Sequence, residues 1–267
     1  MAFSRNKPYN DLPLLPPENR YYETINLYKK LSESRAALAE LKGRTPIIPN
    51  PLMLVNTLVL QEARDSSIIE NVVTSNDKLY RAFTSESAIK DPYTKEVLRY
   101  REALWQIYQE LRKSGHINLD LIVRIFRIIK ETDEEIRKKQ VWIGNGLITV
   151  YTPPEPGKML KDKLDNWIQF AANNNGIDPL TKMALLHYQF EYIHPFSDGN
   201  GRTGRILNVL YLAYTELLDL PILYLSKYIL EYKSEYYRLF TEVTEQGKWE
   251  DWIIFMLEQL DELPSSL

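Results

Sequence analysis

A mainly helical bundle with one small β-hairpin is what this sequence predicts, on three observations. Apolar residues recur every three to four positions through most of its 267 residues, the spacing that lines one face of a helix. Glycine is scarce, 10 in all, where the usual share is about 7%. Strand-type residues gather in one place, Val141 to Tyr151, around Asn145-Gly146, the pair best suited to a two-residue type I′ turn.

The elements follow in order. From Tyr21 to Leu41, Leu27, Leu31, Ala37, Leu38 and Leu41 repeat at helical spacing, and Gly43 stands where a C-cap glycine is expected. Pro46 to Pro51 reads as a stiff connection, followed by a helix carrying Leu52, Leu54, Val55, Leu58 and Leu60 toward Glu62. A second short helix is expected around Ser66 to Val73. Thr94 to Lys113 forms a longer one, stopped by Ser114-Gly115. No element is assigned between Gly115 and the hairpin, which Pro153-Pro154 ends. Helical periodicity resumes over Lys161–Ala172, Pro179–Tyr192, Arg202–Leu217, Leu230–Val243 and Trp249–Leu260. The chain divides into an N-terminal helical region, residues 1–91, packed against a core of residues 92–267.

Composition narrows the function classes. Lys+Arg 33 against Asp+Glu 36 gives a net charge of -3, so no strong basic field gathers nucleic acid or anionic membrane. The absence of cysteine excludes disulfides, thiolate metal sites and cysteine nucleophiles. The start, Met-Ala-Phe-Ser-Arg-Asn-Lys-Pro, is no apolar leader, and no run approaches the roughly 18 apolar residues that span a bilayer. A soluble, cytoplasmic protein is expected.

The chemistry concentrates in His194-Pro195-Phe196-Ser197-Asp198-Gly199-Asn200-Gly201-Arg202-Thr203-Gly204-Arg205, where three of the ten glycines fall within six residues between two apolar helices. Glycines let backbone amides approach an anion, and a helix starting near Arg202 points further N–H groups and its positive end the same way. Polyphosphate is the natural ligand. Arg202 and Arg205, three apart, are placed to grip two phosphates, each through a fork of donors. Asp198 offers the hard oxygen that Mg²⁺ shares with phosphates. His194 is the base at hand for a hydroxyl proton.

Gly199-x-Gly201-x-x-Gly204 also matches the dinucleotide fingerprint, with Asp219 at a tolerable distance for a ribose contact. The context opposes it, because that fingerprint needs a preceding strand and a βαβ unit, and Pro179–Tyr192 reads as helix. No Walker lysine pattern or His-Glu-x-x-His is present.

His-Pro-Phe-x-Asp-Gly-Asn-Gly-Arg-x-x-Arg, at positions 194 to 205, resembles the active-site motif of the Fic (Fido-fold) proteins at every fixed position. Most of that family transfer AMP from ATP to a hydroxyl of a target protein. The likeness extends to the Val141–Pro154 hairpin, similar to the family's target-docking flap, and to Leu223-Tyr224-Leu225-Ser226 with Tyr236-Tyr237 beyond. Tyr9 to Tyr80 also resembles the N-terminal helices of one subgroup. The resemblance implies the Fic/Fido helical fold and a role for each matching residue. His194 would deprotonate the target hydroxyl and Asp198 would hold Mg²⁺. Gly199, Asn200 and Gly201 would form the anion nest, with the Asn200 side chain on the α-phosphate and Thr203 and Gly204 in the same nucleotide-binding stretch. Arg202 would take the β-phosphate, Arg205 the γ-phosphate, and Tyr237 would lie near adenine. Ile143, Gly144, Leu147 and Ile148 would dock the target segment. The phosphate-transferring Doc branch has a lysine where this chain has Gly201, which favours AMP transfer.

Ser66-x-x-x-Glu70-Asn71 is similar to the family's inhibitory pattern, N-terminal to the active site and in the same chain. A Glu70 carboxylate paired with Arg205 would occupy the donors that a γ-phosphate needs. Plainer readings stand beside these. His187 is taken as structural, for want of further His or Cys nearby, and His116 is assigned nothing. Most of the 18 tyrosines are packing residues, with Tyr236 left open. An Asn-Gly turn is a folding device before it is a docking edge. Two other functions remain beside ATP-dependent transfer: removal of AMP by hydrolysis, with Glu70 orienting water, and a non-catalytic nucleotide-sensing module. The target would be a hydroxyl-bearing protein, this chain itself included, and a homodimer is a further expectation. Some members carry a winged-helix domain after the core; this chain stops at Pro264-Ser265-Ser266-Leu267, and nucleic-acid binding is unsupported.

Overall fold

The computed structural model describes residues 3–44, 51–75, 78–79, 91–144 and 148–261. Its centre is a pair of helices, α6 (Pro179–Ile193) and α7 (Asn200–Tyr214), that pack along each other and are buried on nearly every side. Their apolar residues point to more than one side, which places both helices inside, and polar residues such as His187, Arg202 and Arg205 are buried with them. α5 (Lys158–Ala172) and α10 (Trp249–Asp261) cover α6, while α3 (Pro92–Ser114) and α4 (Leu119–Lys130) cover α7. α1 (Ile25–Arg44) lies on α10. α2 (Pro51–Ile69) reaches α3, α7 and the short α8 (Ser226–Glu231), and α9 (Lys233–Gln246) completes the bundle beside α10.

The hairpin is confirmed and small: β1 (Ile143–Gly144) pairs antiparallel with β2 (Thr149–Tyr151), Ile143 opposite Tyr151 and Gly144 opposite Thr149. That register makes the connection longer than the two-residue turn expected at Asn145-Gly146. Asn145, Gly146 and Leu147 themselves lie outside the described residues.

Three expectations are corrected. Gly43 lies inside α1, which continues to Arg44 because this glycine keeps a helical conformation. The two helices expected between Leu52 and Val73 are one, α2, ending at Ile69; beyond it Asn71 takes a positive φ of 63° and turns the chain. The region assigned no element holds α4. Asn118 caps it by accepting from the Leu121 amide at 2.9 Å, and Ile122, Ile125, Phe126 and Ile129 fill one buried face. Those signals are all in the sequence. Gly115 ends α3 in the left-handed conformation, as expected.

The N-terminal segment straps the hairpin to the core. The Tyr9 amide donates to Thr152 O (3.0 Å), and Thr152 Oγ1 donates to Arg5 O (2.6 Å). Phe3, Tyr9 and Tyr192 all pack on the Tyr151 ring. Asn166 then holds Leu15 through both its N–H and its C=O, at 2.8 and 3.0 Å. No helix among the described residues is long and apolar enough to cross a membrane.

Candidate functional site

The link between α6 and α7 is built by a few polar side chains that satisfy its backbone. His194 caps α6 at φ 49°, and its N–H bonds back to Phe190 O. The Asn200 amide group closes the loop on Phe196, with Oδ1 accepting from its N–H (2.9 Å) and Nδ2 donating to its C=O (3.0 Å). The Phe196 ring stacks on Phe126, centroids 4.1 Å apart, and anchors the loop in the core. Gly199, at φ 73°, takes the left-handed turn into α7, where a side chain would be strained.

Arg137 holds the loop from outside, and nothing in the sequence singles it out. It sits in the run Asp-Glu-Glu-Ile-Arg-Lys-Lys, which reads as solvated surface. In the fold it is buried, its Nε donating to His194 O (2.8 Å) and its NH2 to Pro154 O (2.5 Å). Its backbone N–H donates to Pro195 O (2.8 Å). One guanidinium thus joins the loop to the exit of the hairpin. Burial among carbonyls pushes its pKa down to about 10, so it remains charged at neutral pH.

These elements enclose a cavity of about 470 Å³ lined by His194, Asp198 to Gly201, Arg205, Glu70, Glu191, Tyr237 and the hairpin residues Ile143, Gly144 and Val150. Its size suits a small-molecule ligand. The start of α7 forms its floor, where a helix presents unpaired N–H groups. His194 Nδ1 lies 3.2 Å from Glu191 O, a contact made by the tautomer with its hydrogen on Nδ1, which leaves Nε2 as an acceptor. Burial, above all, pushes the imidazole down to about 4, so the ring is neutral at physiological pH.

The two arginines of the motif part company. Arg205 is buried and held from the α2 side: Nε donates to Ser66 Oγ (2.7 Å), and NH2 donates to Ser66 O (2.9 Å) and Glu70 Oε1 (2.8 Å). Burial opposes its charge, but Glu70, with Tyr236 and Glu191, outweighs it and raises its pKa. A Cβ on Gly201 would collide with Glu70 Oε1, so the glycine makes room for that carboxylate. α2 itself is pinned by the buried Glu62, which accepts from Ser226 N (2.8 Å), Ser226 Oγ (2.6 Å) and Tyr100 OH (3.1 Å). Arg202 turns the other way, beneath the loop, to Glu96, with Asp198 at 3.8 Å. Lys130 Nζ links the same Glu96 (3.1 Å) to Asp198 Oδ2 (2.6 Å). Burial would raise the Asp198 pKa, yet the Lys130 ammonium prevails and holds it below the usual carboxylate range.

Several expected positions therefore change. Asn200 commits Oδ1 and one of its two Nδ2 hydrogens to Phe196 and also lines the cavity. Arg202 does not line the cavity, because Glu96 holds it below the floor. Thr203 donates to Gly199 O inside α7 (2.9 Å), and Gly204 faces Phe190, His187 and Glu191 of α6, so neither lies on the cavity. Of the remaining described candidates, His194, Asp198, Gly199, Gly201, Arg205 and Tyr237 share the cavity with Glu70, and Ser66 meets Arg205 from behind it. Ile143 and Gly144 line its rim, and Ile148 stands 62% exposed beside it. Leu147 lies outside the described residues. His187 is structural, its Nε2 paired with Tyr236 OH at 2.7 Å and its ring stacked on Trp252. The sequence reasoning missed Arg137, Glu96, Lys130, Glu62 and Glu191, each an isolated charge in a helical or charged run.

Comparison with known proteins bears on this arrangement. The Fic/DOC family N-terminal model matches residues 28–109, and the Fic/DOC family model matches residues 116–212. Among curated proteins, protein adenylyltransferase Fic of Drosophila mojavensis is 29% identical over 171 residues, covering 61% of this chain and 31% of that protein. Its Drosophila grimshawi counterpart is 31% identical over 171 residues, covering 61% and 32%. The chain spans about a third of the length of these curated relatives. Among solved structures, a Fic family protein from Desulfovibrio desulfuricans has a TM-score of 0.78 at 22% identity, over 92% of this chain and 76% of that one. IbpAFic2 covalently tethered to Cdc42 has a TM-score of 0.51 at 17% identity, over 91% and 73%. At these identities the structural likeness is one of fold.

Proposed function

The chain belongs to the Fic/DOC family, and from that premise we propose that it is a protein adenylyltransferase, moving AMP from ATP onto a Ser, Thr or Tyr hydroxyl of a target protein. One observation carries the reading: a neutral imidazole, the amide end of α7 and the Arg205 guanidinium line a single cavity. The printed name of the curated relatives supports it.

In this reading the target hydroxyl donates to His194 Nε2, its oxygen attacks the α-phosphorus, and the bond from that phosphorus to the bridging oxygen of pyrophosphate breaks. The low basicity of the buried imidazole means that the proton moves as the new P–O bond forms, when the hydroxyl has become acidic. The floor of α7 would take the phosphate charge through its N–H groups. Asp198 is a single carboxylate, and no cluster of three or more ligating side chains exists among the described residues. That fits Mg²⁺ held chiefly by phosphates, with Asp198 as its protein ligand in place of Lys130. Once bound, such an ion would neutralise phosphate charge. Tyr237 would lie near the base, and the edge of β1 at Ile143 and Gly144, with Ile148, would pair with an extended target segment.

Glu70 gives the same site a brake. Its carboxylate holds the Arg205 NH2 that a terminal phosphate would use, so ATP entering this state is held in a pose unsuited to in-line attack. The test is incubation of the wild-type chain and Glu70→Gly with Mg²⁺ and α-labelled ATP. Label and a mass gain of AMP should enter protein at least tenfold faster in Glu70→Gly. Release of AMP from premodified target without any incorporation would replace transfer by hydrolysis, and neither reaction in either protein would sink the enzymatic reading.

A further inference from the structure

Glu191 is a carboxyl that the mechanism above leaves unused. It belongs to the last turn of α6 and lines the cavity, yet its Oε1 is sealed from solvent without a hydrogen-bond partner. A buried carboxyl oxygen in that condition is costly unless something pairs with it. The backbone leaves space for it: a Cβ on Gly204 would stand 2.7 Å from Glu191 Oε1, so the glycine facing away from the cavity clears room for this acid. Around it stand Glu70 from α2, Arg205 from α7, Tyr236 and Tyr237 from α9, and on its own helix His187 and His194. Two carboxyls therefore share the cavity with one guanidinium, and Glu70 holds its NH2 while Glu191 makes no hydrogen bond with it.

Resting on the nucleotide reading above, we propose that Glu191 reads the protonation state of the site for the nucleotide's terminal phosphates: as a neutral acid it donates its O–H to a phosphate oxygen gathered on Arg205, and as a carboxylate it repels that oxygen. When Glu70 withdraws and phosphate takes its place, the local negative charge grows, and a carboxylate at Glu191 takes up a proton from solvent to accept it. Productive binding of a triphosphate is then coupled to one proton, whereas a monophosphate, which leaves the Arg205 end empty, is not. The electrostatics agree in direction. Burial foremost, with Glu70 adding to it and Arg205 opposing, pushes Glu191 up to about 8. The other groups facing it do not titrate from pH 7 to 9.5: His187 and His194 are driven down to about 3 and 4, Tyr237 up to about 12, and Tyr236 well above its ordinary value.

Calorimetric binding of ATP and of AMP to full-length Glu70→Gly, with Mg²⁺ between pH 7 and 9.5 in two buffers of different ionisation heat, tests this. For ATP, the Kd should rise toward tenfold per pH unit once Glu191 ionises in the free protein, with up to one proton taken up per ATP. AMP should show neither effect. In Glu70→Gly/Glu191→Gln, whose amide donates at any pH, ATP should bind with a flat profile and no proton uptake. ATP binding to Glu70→Gly without buffer-dependent heat, or the same slope in both variants, overturns the role of Glu191 and leaves the transferase reading standing. The buffer heats need only the single variant, so poor folding of the double one does not rescue the idea. No ATP binding at any pH overturns both.

Discussion

The α6–α7 loop and the hairpin border one cavity but are held in opposite ways. In the loop, Asn200 serves both polar groups of Phe196, Arg137 takes the carbonyl of His194, and Phe196 is sealed against Phe126. The hairpin has two short strands with an irregular register, and Trp142, Ile148 and Val150 stand largely in solvent. Under the proposed transfer, the contrast is a division of labour between a phosphate site and a docking edge. Phosphate chemistry needs donors fixed before the ligand arrives, because reorganising them during reaction costs rate. An edge that accepts varied extended segments needs unpaired backbone and little rigidity.

The contrast is most sharply put at risk by His194→Ala. Transfer should drop by about 10²–10⁴-fold while ATP binding persists, measured by label incorporation and calorimetry. Loss of ATP binding as well would mean that the loop is shaped by the imidazole rather than by Asn200 and Arg137. A smaller effect is expected of Arg137→Met, which leaves the His194 and Pro154 carbonyls without their donor. It should cost about 1–3 kcal/mol of stability, read as a fall in Tm, with transfer reduced for every target alike. The mildest change is Ile148→Pro on the hairpin. Stability should fall less than in Arg137→Met and ATP binding not at all, while modification of an added target slows. Unchanged target modification would show that strand pairing is not how the substrate is held.

Local signals carried much of this molecule. Helical periodicity and the Pro, Gly and Asn caps located most helices to within a few residues, and the clustered glycines beside His194, Asp198 and Arg205 marked the cavity floor. Such features work between neighbours in the chain, through backbone conformation and a helix's own faces. α4 was equally legible, with Asn118 and its Ile and Phe stripe. Gly43 misled, because a glycine ends a helix only where the surroundings favour the left-handed turn, and here Lys42 beside it is held to Glu216 O and Asp219 at 2.8 and 3.0 Å.

Partner choice across long separations was beyond such reading. Ser66 and Glu70 reach Arg205 from more than 130 positions away, a meeting that spacing cannot reveal, that the family's inhibitory pattern alone suggested for Glu70, and that arises because α2 lies across α3, α7 and α8. Arg202 and Arg205 look equivalent three residues apart, yet Glu96 draws one below the floor and α2 holds the other at the cavity. Arg137 and Glu191 look like ordinary surface charges until burial removes their water. The strength of a charge depends on what surrounds it in space, and the order of residues along the chain specifies those surroundings only through the finished packing.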